Sequence, residues 1–485
     1  MAALPILRGA IPVTFPPGWY ARNGLDLGHA LVDHPLDAGG FVDRVTFPPA
    51  IGAEPRVATL QTARVRVEPG GRGMFGSGNQ FGFTVQNAAN TSLFRHGGRL
   101  FAMWEGGLPT ELEEPTLHTL GHARFAGARR GLPVTTGCAF VDVRLGLGGD
   151  AVSAHPVMDP VTGRAVVLLS SIGLSREPVV QYRILELHPH SVAAERERLL
   201  SVSGFTHVHG AMFVTRDFYI LITPCMSLDA RSYVMGHAMA DCIRHEHAPT
   251  TLHVIPRDAA GQARSYEMPR CFVTHGVNAY QTYGTIVVDA MVADCLPHPT
   301  AKQRMMPDVR MRRIVLYEQS PEAKGCDLFL HKKPKKAGGA RGTWPFQACV
   351  PRLGGGRRLK TGHASLEMRD MYCGPVEFPC MNPRFVGRVY RFAYMTADPW
   401  GWVKVDVTTG RTWHVCCMDG PHLEPAFVPR SPEAAEDEGW IVGFVLRAGR
   451  SVFCIVDAQR MKVVCVMDAA EANQIGLHGF YVVDT

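Results

Sequence analysis

Cys271-Phe-Val-Thr-His-Gly-Val-Asn-Ala-Tyr280 sets a single imidazole, His275, inside a run of apolar and β-prone residues. Three other stretches share the pattern. His155 lies in Val152-Ser-Ala-His-Pro-Val-Met-Asp-Pro-Val-Thr-Gly163, His209 in His207-Val-His-Gly-Ala-Met-Phe-Val-Thr215 and His478 in Gly476-Leu-His-Gly-Phe-Tyr481. The chain has 21 histidines, so one histidine alone says little. These four stand apart because each adjoins a strand-like run, where burying an unpartnered imidazole is costly. A metal ion shared by all four removes that cost. Their separations are 54, 66 and 203 residues; the last is close to three times 68, and one seventh of the 485 residues is about 69. In a ring of seven repeated sheets, each histidine would sit on its own sheet and point to the axis.

The rest of the sequence fits an all-β chain. Runs rich in Val, Ile, Phe and Tyr recur at Ala165–Ser170, Phe213–Ile222, Thr285–Asp289, Trp402–Val407 and Val452–Val456. Turn signals such as Asp159-Pro-Val-Thr-Gly163 and Val407-Thr-Thr-Gly410 separate them. The 50 glycines and 35 prolines are dispersed, so they punctuate strands and do not form linkers. Helical periodicity is confined to Asp229–Arg244 and, more weakly, Ala193–Leu200. Alternating β/α units are not seen, which excludes a doubly wound sheet. The pattern leaves a large sandwich or a propeller, organised as one domain over residues 1–485. The stretch 331–360, rich in Gly, Lys and Arg, reads as a mobile basic insertion between strands.

Composition narrows the function. Hydrophobic residues are 46% of the chain, enough for a large core and too many for a disordered protein. No apolar run approaches the roughly 18–20 residues of a membrane-spanning helix. The net charge of +6 is mild at this length and no nucleic-acid module is present, so no nucleic-acid partner is expected. The 13 cysteines contain no Cys-x-x-Cys pair, and Cys416-Cys417 on a strand would face opposite ways. Reduced thiols in an intracellular protein are therefore expected, and no secretory signal is seen. Gly71-Arg-Gly-Met-Phe-Gly76 fits G-x-G-x-x-G, but the residues after it would not start the helix that dinucleotide binding needs. Asn90-Thr-Ser92 is a glycosylation sequon in pattern only. His207-Val-His209 also suits a metal-dependent hydrolase, although that class needs a second cluster and a β/α barrel.

At this point the segments resemble those of the carotenoid cleavage oxygenases, the retinal pigment epithelium protein family. Tyr20-Ala-Arg-Asn-Gly24, Leu100-Phe-Ala-Met-Trp-Glu-Gly-Gly107 and Thr116-Leu-His-Thr-Leu-Gly121 resemble its N-terminal blocks. Val376-Glu-Phe-Pro379, Glu424-Pro-Ala-Phe-Val-Pro-Arg430 and Glu436-Asp-Glu-Gly-Trp440 follow in the family's order. The resemblance implies a seven-bladed β-propeller with a helical and loop cap over an axial Fe(II). It implies His155, His209, His275 and His478 as ligands, with Glu105, Glu377 and Glu424 hydrogen-bonded to ligand imidazoles. It implies a non-haem dioxygenase that cleaves a C=C bond of an apolar polyene, a carotenoid or apocarotenoid, with O2. Such a substrate suggests peripheral contact with a membrane surface, for which Leu228–Ile243 offers an apolar rim, and a cytoplasmic or plastid location. The stilbene-cleaving branch carries a Lys before the first glutamate where this chain has Trp104, so stilbene cleavage is the lesser alternative. A non-catalytic lipid-binding propeller is the other. Two departures bear on it. His209 precedes Thr215 by six residues where the family has five, with Gly210 in place of Asp or Ser, and Gln281 stands where many members have Glu.

Overall fold

Seven sheets, each of four or more strands and antiparallel except where Val134–Thr135 runs parallel to Ala165–Gly173, form a ring of blades in the computed structural model. It describes residues 1–484 except 27–34, 53–54, 67–85, 174–176, 297–307, 319–356, 362–363, 398–400, 448–449 and 471–474. The ring is closed by both ends of the chain. In the first blade Gly18–Leu25, Gly40–Phe47 and Thr59–Arg64 are joined by Gly476–Val483, which pairs with Gly18–Leu25 on the inner side. Ile6–Gly9 then adds an outer strand to the seventh blade by pairing with Lys462–Asp468. Opening the ring therefore means breaking a ladder at each end, not one weak seam.

The inner strand of each remaining blade follows in chain order. The second begins with Ser92–His96; the third pairs Ala151–Val152 and Val157–Met158 with Ala165–Gly173. The fourth begins with Met212–Val214, the fifth with Phe272–Thr282, the sixth with Val376–Cys380 and the seventh with Ala426–Pro429. The core is not one mass but a series of sheet-to-sheet layers. One cluster joins Phe15, Tyr20 and Phe47 of the first blade region to Phe444 and Phe453 of the seventh. Another joins Met291 and Val315 of the fifth blade to Ala393 and Val403 of the sixth. Strand Thr285–Ala293 is buried at all nine positions because blades pack on both of its faces, so after Thr285 it reads as an apolar run interrupted by Asp289.

Local propensity loses to this packing at one expected helix. Ala194–Ser203 is a strand, the outer edge of the third blade, although Ala193–Leu200 has helical character in sequence. Its alternating exposure is that of an edge strand, and cross-strand pairs Arg183–Glu197 at 2.7 Å and Arg164–Glu195 at 2.5 Å hold it there. The other helical candidate, Asp229–Arg244, divides into Ala230–Val234 and Met239–Cys242, with Gly236 at φ +102° between them. The run Phe213–Ile222 is a hairpin, Met212–Val214 returning as Phe218–Thr223. Among the described residues the cap elements are therefore short, with Ala139–Leu145 the longest helix at seven residues.

Of the basic stretch expected at 331–360, only its end is described: Arg357–Thr361 is a strand on the edge of the fifth blade. The rest, and Gly71–Gly76, lie outside the described residues. Cys416 and Cys417 fall just after the strand Thr412–Val415 and not on it; Cys416 is exposed and Cys417 buried, and the cysteines described are free thiols. Asn90 is buried, its amide donating to the carbonyls of Leu36 and Ala38, so the sequon is a structural clip.

Candidate metal centre

Every blade sends one polar side chain to the centre of the ring. His155 lies between the two inner strand segments of the third blade and His209 just before the inner strand of the fourth. His275 is on the inner strand of the fifth blade and His478 on that of the first. The three other blades supply carboxylates: Glu105 follows a strand of the second, Glu377 is on the inner strand of the sixth and Glu424 just precedes that of the seventh. The step from blade five to blade one is three blades, which is what the gap of 203 residues between His275 and His478 measures.

Three imidazoles are fixed by these carboxylates. His155 Nδ1 donates to Glu105 Oε1 at 2.5 Å, His275 Nδ1 to Glu377 Oε2 at 2.6 Å and His478 Nδ1 to Glu424 Oε1 at 2.9 Å. Each carboxylate is itself held: Glu105 by the Ala154 N–H, Glu377 by the Thr274 hydroxyl and the Phe378 N–H, Glu424 by the Gly479 N–H. With its proton on Nδ1, each of these rings keeps its Nε2 lone pair facing inward. His155 Nε2 and His478 Nε2 are 3.2 Å apart, and His275 Nε2 and His478 Nε2 are 3.3 Å apart. Facing lone pairs at that distance repel. One proton on His478 Nε2 could not bridge both contacts, whereas one cation can. His155, His209 and His275 each bring a ring nitrogen within 4.8 Å of the others'. The residues present therefore fit a metal ion.

The electrostatics agree. Burial pulls His155 below the usual imidazole range, and burial with the neighbouring rings of His155, His275, His207 and His478 pulls His209 well below it, so both stay neutral. At His275 burial is outweighed by Glu377, which raises the ring's basicity. Burial opposes ionisation of Glu105 and Glu377, but His155 and His275 respectively outweigh it and hold both carboxyls low.

Both histidines of His207-Val-His209 lie near Glu105. His209 faces His155 at a ring separation of 4.7 Å and His275 at 5.5 Å, whereas His207 groups with Glu105 and His209. Gly210, the residue after His209, has φ +52°. His209 has no carboxylate of its own; its Nδ1 is 3.8 Å from Glu105 Oε1. Sequence reasoning missed Phe378. Its ring lies 5.4 Å from that of His275 and 5.7 Å from that of His478, and its φ is +52°. Its place in Val376-Glu-Phe-Pro379 was visible, but a left-handed phenylalanine is not predictable from its residue type.

Comparison with known proteins gives the following. The family model described as retinal pigment epithelial membrane protein matches residues 2–483. The apocarotenoid-15,15'-oxygenase of Synechocystis sp. is 27% identical over an alignment covering 93% of this chain and 87% of the relative. Carotenoid cleavage dioxygenase 7 of Oryza sativa, named as chloroplastic, is 25% identical with 99% and 88% covered. The resveratrol cleavage oxygenase 1 of Botryotinia fuckeliana is 24% identical with 82% and 66% covered. The crystal structure of cobalt-substituted Synechocystis ACO superposes with a TM-score of 0.75 at 24% identity, covering 98% of this chain and 94% of that one.

Proposed function

Because the chain belongs to the retinal pigment epithelial membrane protein family, we propose that it is an Fe(II)-dependent dioxygenase cleaving a C=C bond of a carotenoid or apocarotenoid. The products are the two aldehyde or ketone fragments, each carrying one atom of O2, so no external reductant is needed. The observation that carries the reading is the convergence of the Nε2 atoms of His155, His275 and His478, each ring pinned through Nδ1 by its own glutamate. His155, His209, His275 and His478 would hold the iron. Imidazole suits several divalent metals, so the choice of iron rests on family membership. The bound iron would supply O2 activation beside the substrate double bond.

This chain's own residues do the rest. Glu105, Glu377 and Glu424 fix ring orientation and tautomer and offset the metal's charge. The seven-blade ring buries Glu377 and leaves Glu105 and Glu424 only slightly exposed. Trp104 is buried at the position where the stilbene-cleaving branch has a lysine for the phenol, which favours an apolar polyene over a stilbene. Such a substrate partitions into lipid, and contact with a membrane surface follows from the same reading. Phe140 and Val143, 73% and 81% exposed on helix Ala139–Leu145, support that contact better than Leu228–Ile243, where Met235 stands out at 48%. Among the described residues no helix is long and apolar enough to cross a membrane.

The test is metal analysis of anaerobically purified protein, followed by incubation with a carotenoid panel under O2. We expect near-stoichiometric iron that falls sharply in both His275→Ala and His478→Ala. Failure to take up Fe(II) on reconstitution, or uptake indifferent to both substitutions, would sink the proposal.

A further inference from the structure

A second group of ligand atoms lies beside the axial centre. Glu105, His207 and His209 each bring one such atom within 4.8 Å of the others'. The rings of His207 and His209 are 6.2 Å apart, and Val208 between them is buried in a core cluster, which turns both imidazoles away from that core. The hydrogen bonds to Glu105 fall on one of its oxygens. Oε1 accepts from His155 Nδ1 at 2.5 Å, the Ala154 N–H at 3.1 Å and the Ser153 hydroxyl at 3.5 Å, whereas Oε2 accepts none among the described residues. Neither ring of His207-Val-His209 has a hydrogen-bond partner among the described residues. His207 is only partly buried, so an ion can reach it from solvent.

Two imidazoles and a carboxylate, with a fourth position left for water, are a donor set that zinc takes in tetrahedral sites. Glu105 could join such a set without releasing His155, because Oε1 keeps that ring while Oε2 binds. His209 has no such freedom. A neutral imidazole has one lone pair, and its proton occupies the other nitrogen. In His155, His275 and His478 a glutamate holds the proton on Nδ1 and so reserves Nε2 for the axis. His209 lacks that carboxylate, and its Nδ1 lies on the Glu105 side, 3.8 Å from Oε1. An ion bound at His209 Nδ1 leaves the proton on Nε2 and withdraws that nitrogen from the axis. The axial ligand whose tautomer is not fixed is thus the one with a further histidine two residues away.

From this we infer that Glu105, His207 and His209 form a second divalent-cation site, suited to zinc, which competes with the axial ion for the single lone pair of His209. The inference rests on the axial metal site proposed above. Filling either site weakens the other, and the weakening is mutual. Zinc at the second site would act as a brake on the axial centre, taking one of its four ligands without entering it. His207 belongs to the second site alone, so its substitution separates the two.

Iron-loaded wild type, His207→Leu and His207→Ala are to be titrated anaerobically with zinc chloride, and the iron and zinc retained after desalting measured by elemental analysis. Wild type is expected to lose iron as it gains zinc. Both variants are expected to load iron normally and to keep it until zinc is at least about tenfold higher, since losing a supporting contact alone costs about 10–100-fold in metal affinity and here a ligand is lost. The same zinc response in all three proteins, or none in any, overturns this inference alone; in the first case zinc is entering the four-histidine site directly. Zinc retained beside a full complement of iron also overturns it, since the two sites would not compete. Failure of both variants to load iron overturns it as well, because His207 would then serve the axial site. Failure of wild type to load iron overturns the axial reading, and this inference with it.

Discussion

Replacing Gly210 by alanine tests how the fourth blade delivers its histidine. Gly210 has φ +52°, and a Cβ built there would sit 2.5 Å from the Thr274 carbonyl oxygen and 3.0 Å from His275 Cα. Both neighbours are backbone of the fifth blade's inner strand, so no side chain can swing aside. The left-handed conformation alone costs an L-residue about 1–2 kcal/mol. Forcing a methyl into packed backbone adds about 1–3 kcal/mol. The expected loss is about 3 kcal/mol. At about 1 kcal/mol/K of unfolding entropy for a chain this long, that lowers Tm by about 3 °C. Gly52→Ala is the control, because Gly52 has φ +57° with nothing within 4 Å, so it reports the conformational cost alone. Calorimetry on metal-stripped protein separates these costs from the linkage between metal binding and folding. Iron uptake would then show whether the strain is relieved by moving His209 or His275. Equal Tm losses in the two variants, with normal iron uptake, would refute the idea that these inner strands approach through a glycine contact.

Three other substitutions have defined outcomes. Glu377→Gln keeps an oxygen for His275 Nδ1 but removes the charge, and should weaken metal affinity about 10–100-fold in a chelator competition. Asp289→Ala would strand Arg313, which now shares a buried pair at 2.7 Å with an Asp289 that also accepts the Tyr390 hydroxyl, at a cost of about 3–5 kcal/mol in denaturant unfolding. His253, held between the Thr223 and Ser265 hydroxyls, is pushed down by burial to about 4. The unfolded chain therefore takes this proton first, near the ordinary pKa of about 6.5. Its contribution is whole above pH 6.5 and is lost as pH falls toward 4, so His253→Gln should flatten the stability curve in that window. An unchanged acid limb would rule this residue out as a source of it.

The fold was legible where residue spacing and apolar runs recorded the repeat. Thr285–Ala293 is buried throughout and Ala165–Leu169 likewise, so β-prone apolar residues fill them apart from Thr285 and the ion-paired Asp289. It was illegible where tertiary pairing decided. Ala-Glu-Arg-Glu-Arg-Leu-Leu from 194 to 200 has the residues of a solvated helix, and becomes a strand because the third blade has an open edge and partners for its charges. The closure of the ring is a second case. Ile6–Gly9 and Gly476–Val483 are short segments at opposite ends of the chain, and nothing local tells either that it pairs with the other blades.

The site divides along the same physical line. The histidines stood out because burying them is costly without partners, and that cost leaves a trace in which residues surround them, whereas the glutamates were picked out by the family resemblance. The backbone devices that aim them leave almost none. Gly210 resembled a defect in a motif, yet it holds a left-handed conformation next to His209 where a Cβ would meet the Thr274 carbonyl oxygen. Opposite it, a Cβ on Gly276 would stand 3.1 Å from the Gly210 carbonyl oxygen and 2.7 Å from the Phe213 ring. The close approach is therefore written twice, once on each strand, by residues whose contribution is the side chain they lack. Phe378 is the reverse case, a side chain in a conformation that glycine would adopt without strain. A sequence records which groups are costly to bury more clearly than it records where the backbone is asked to bend.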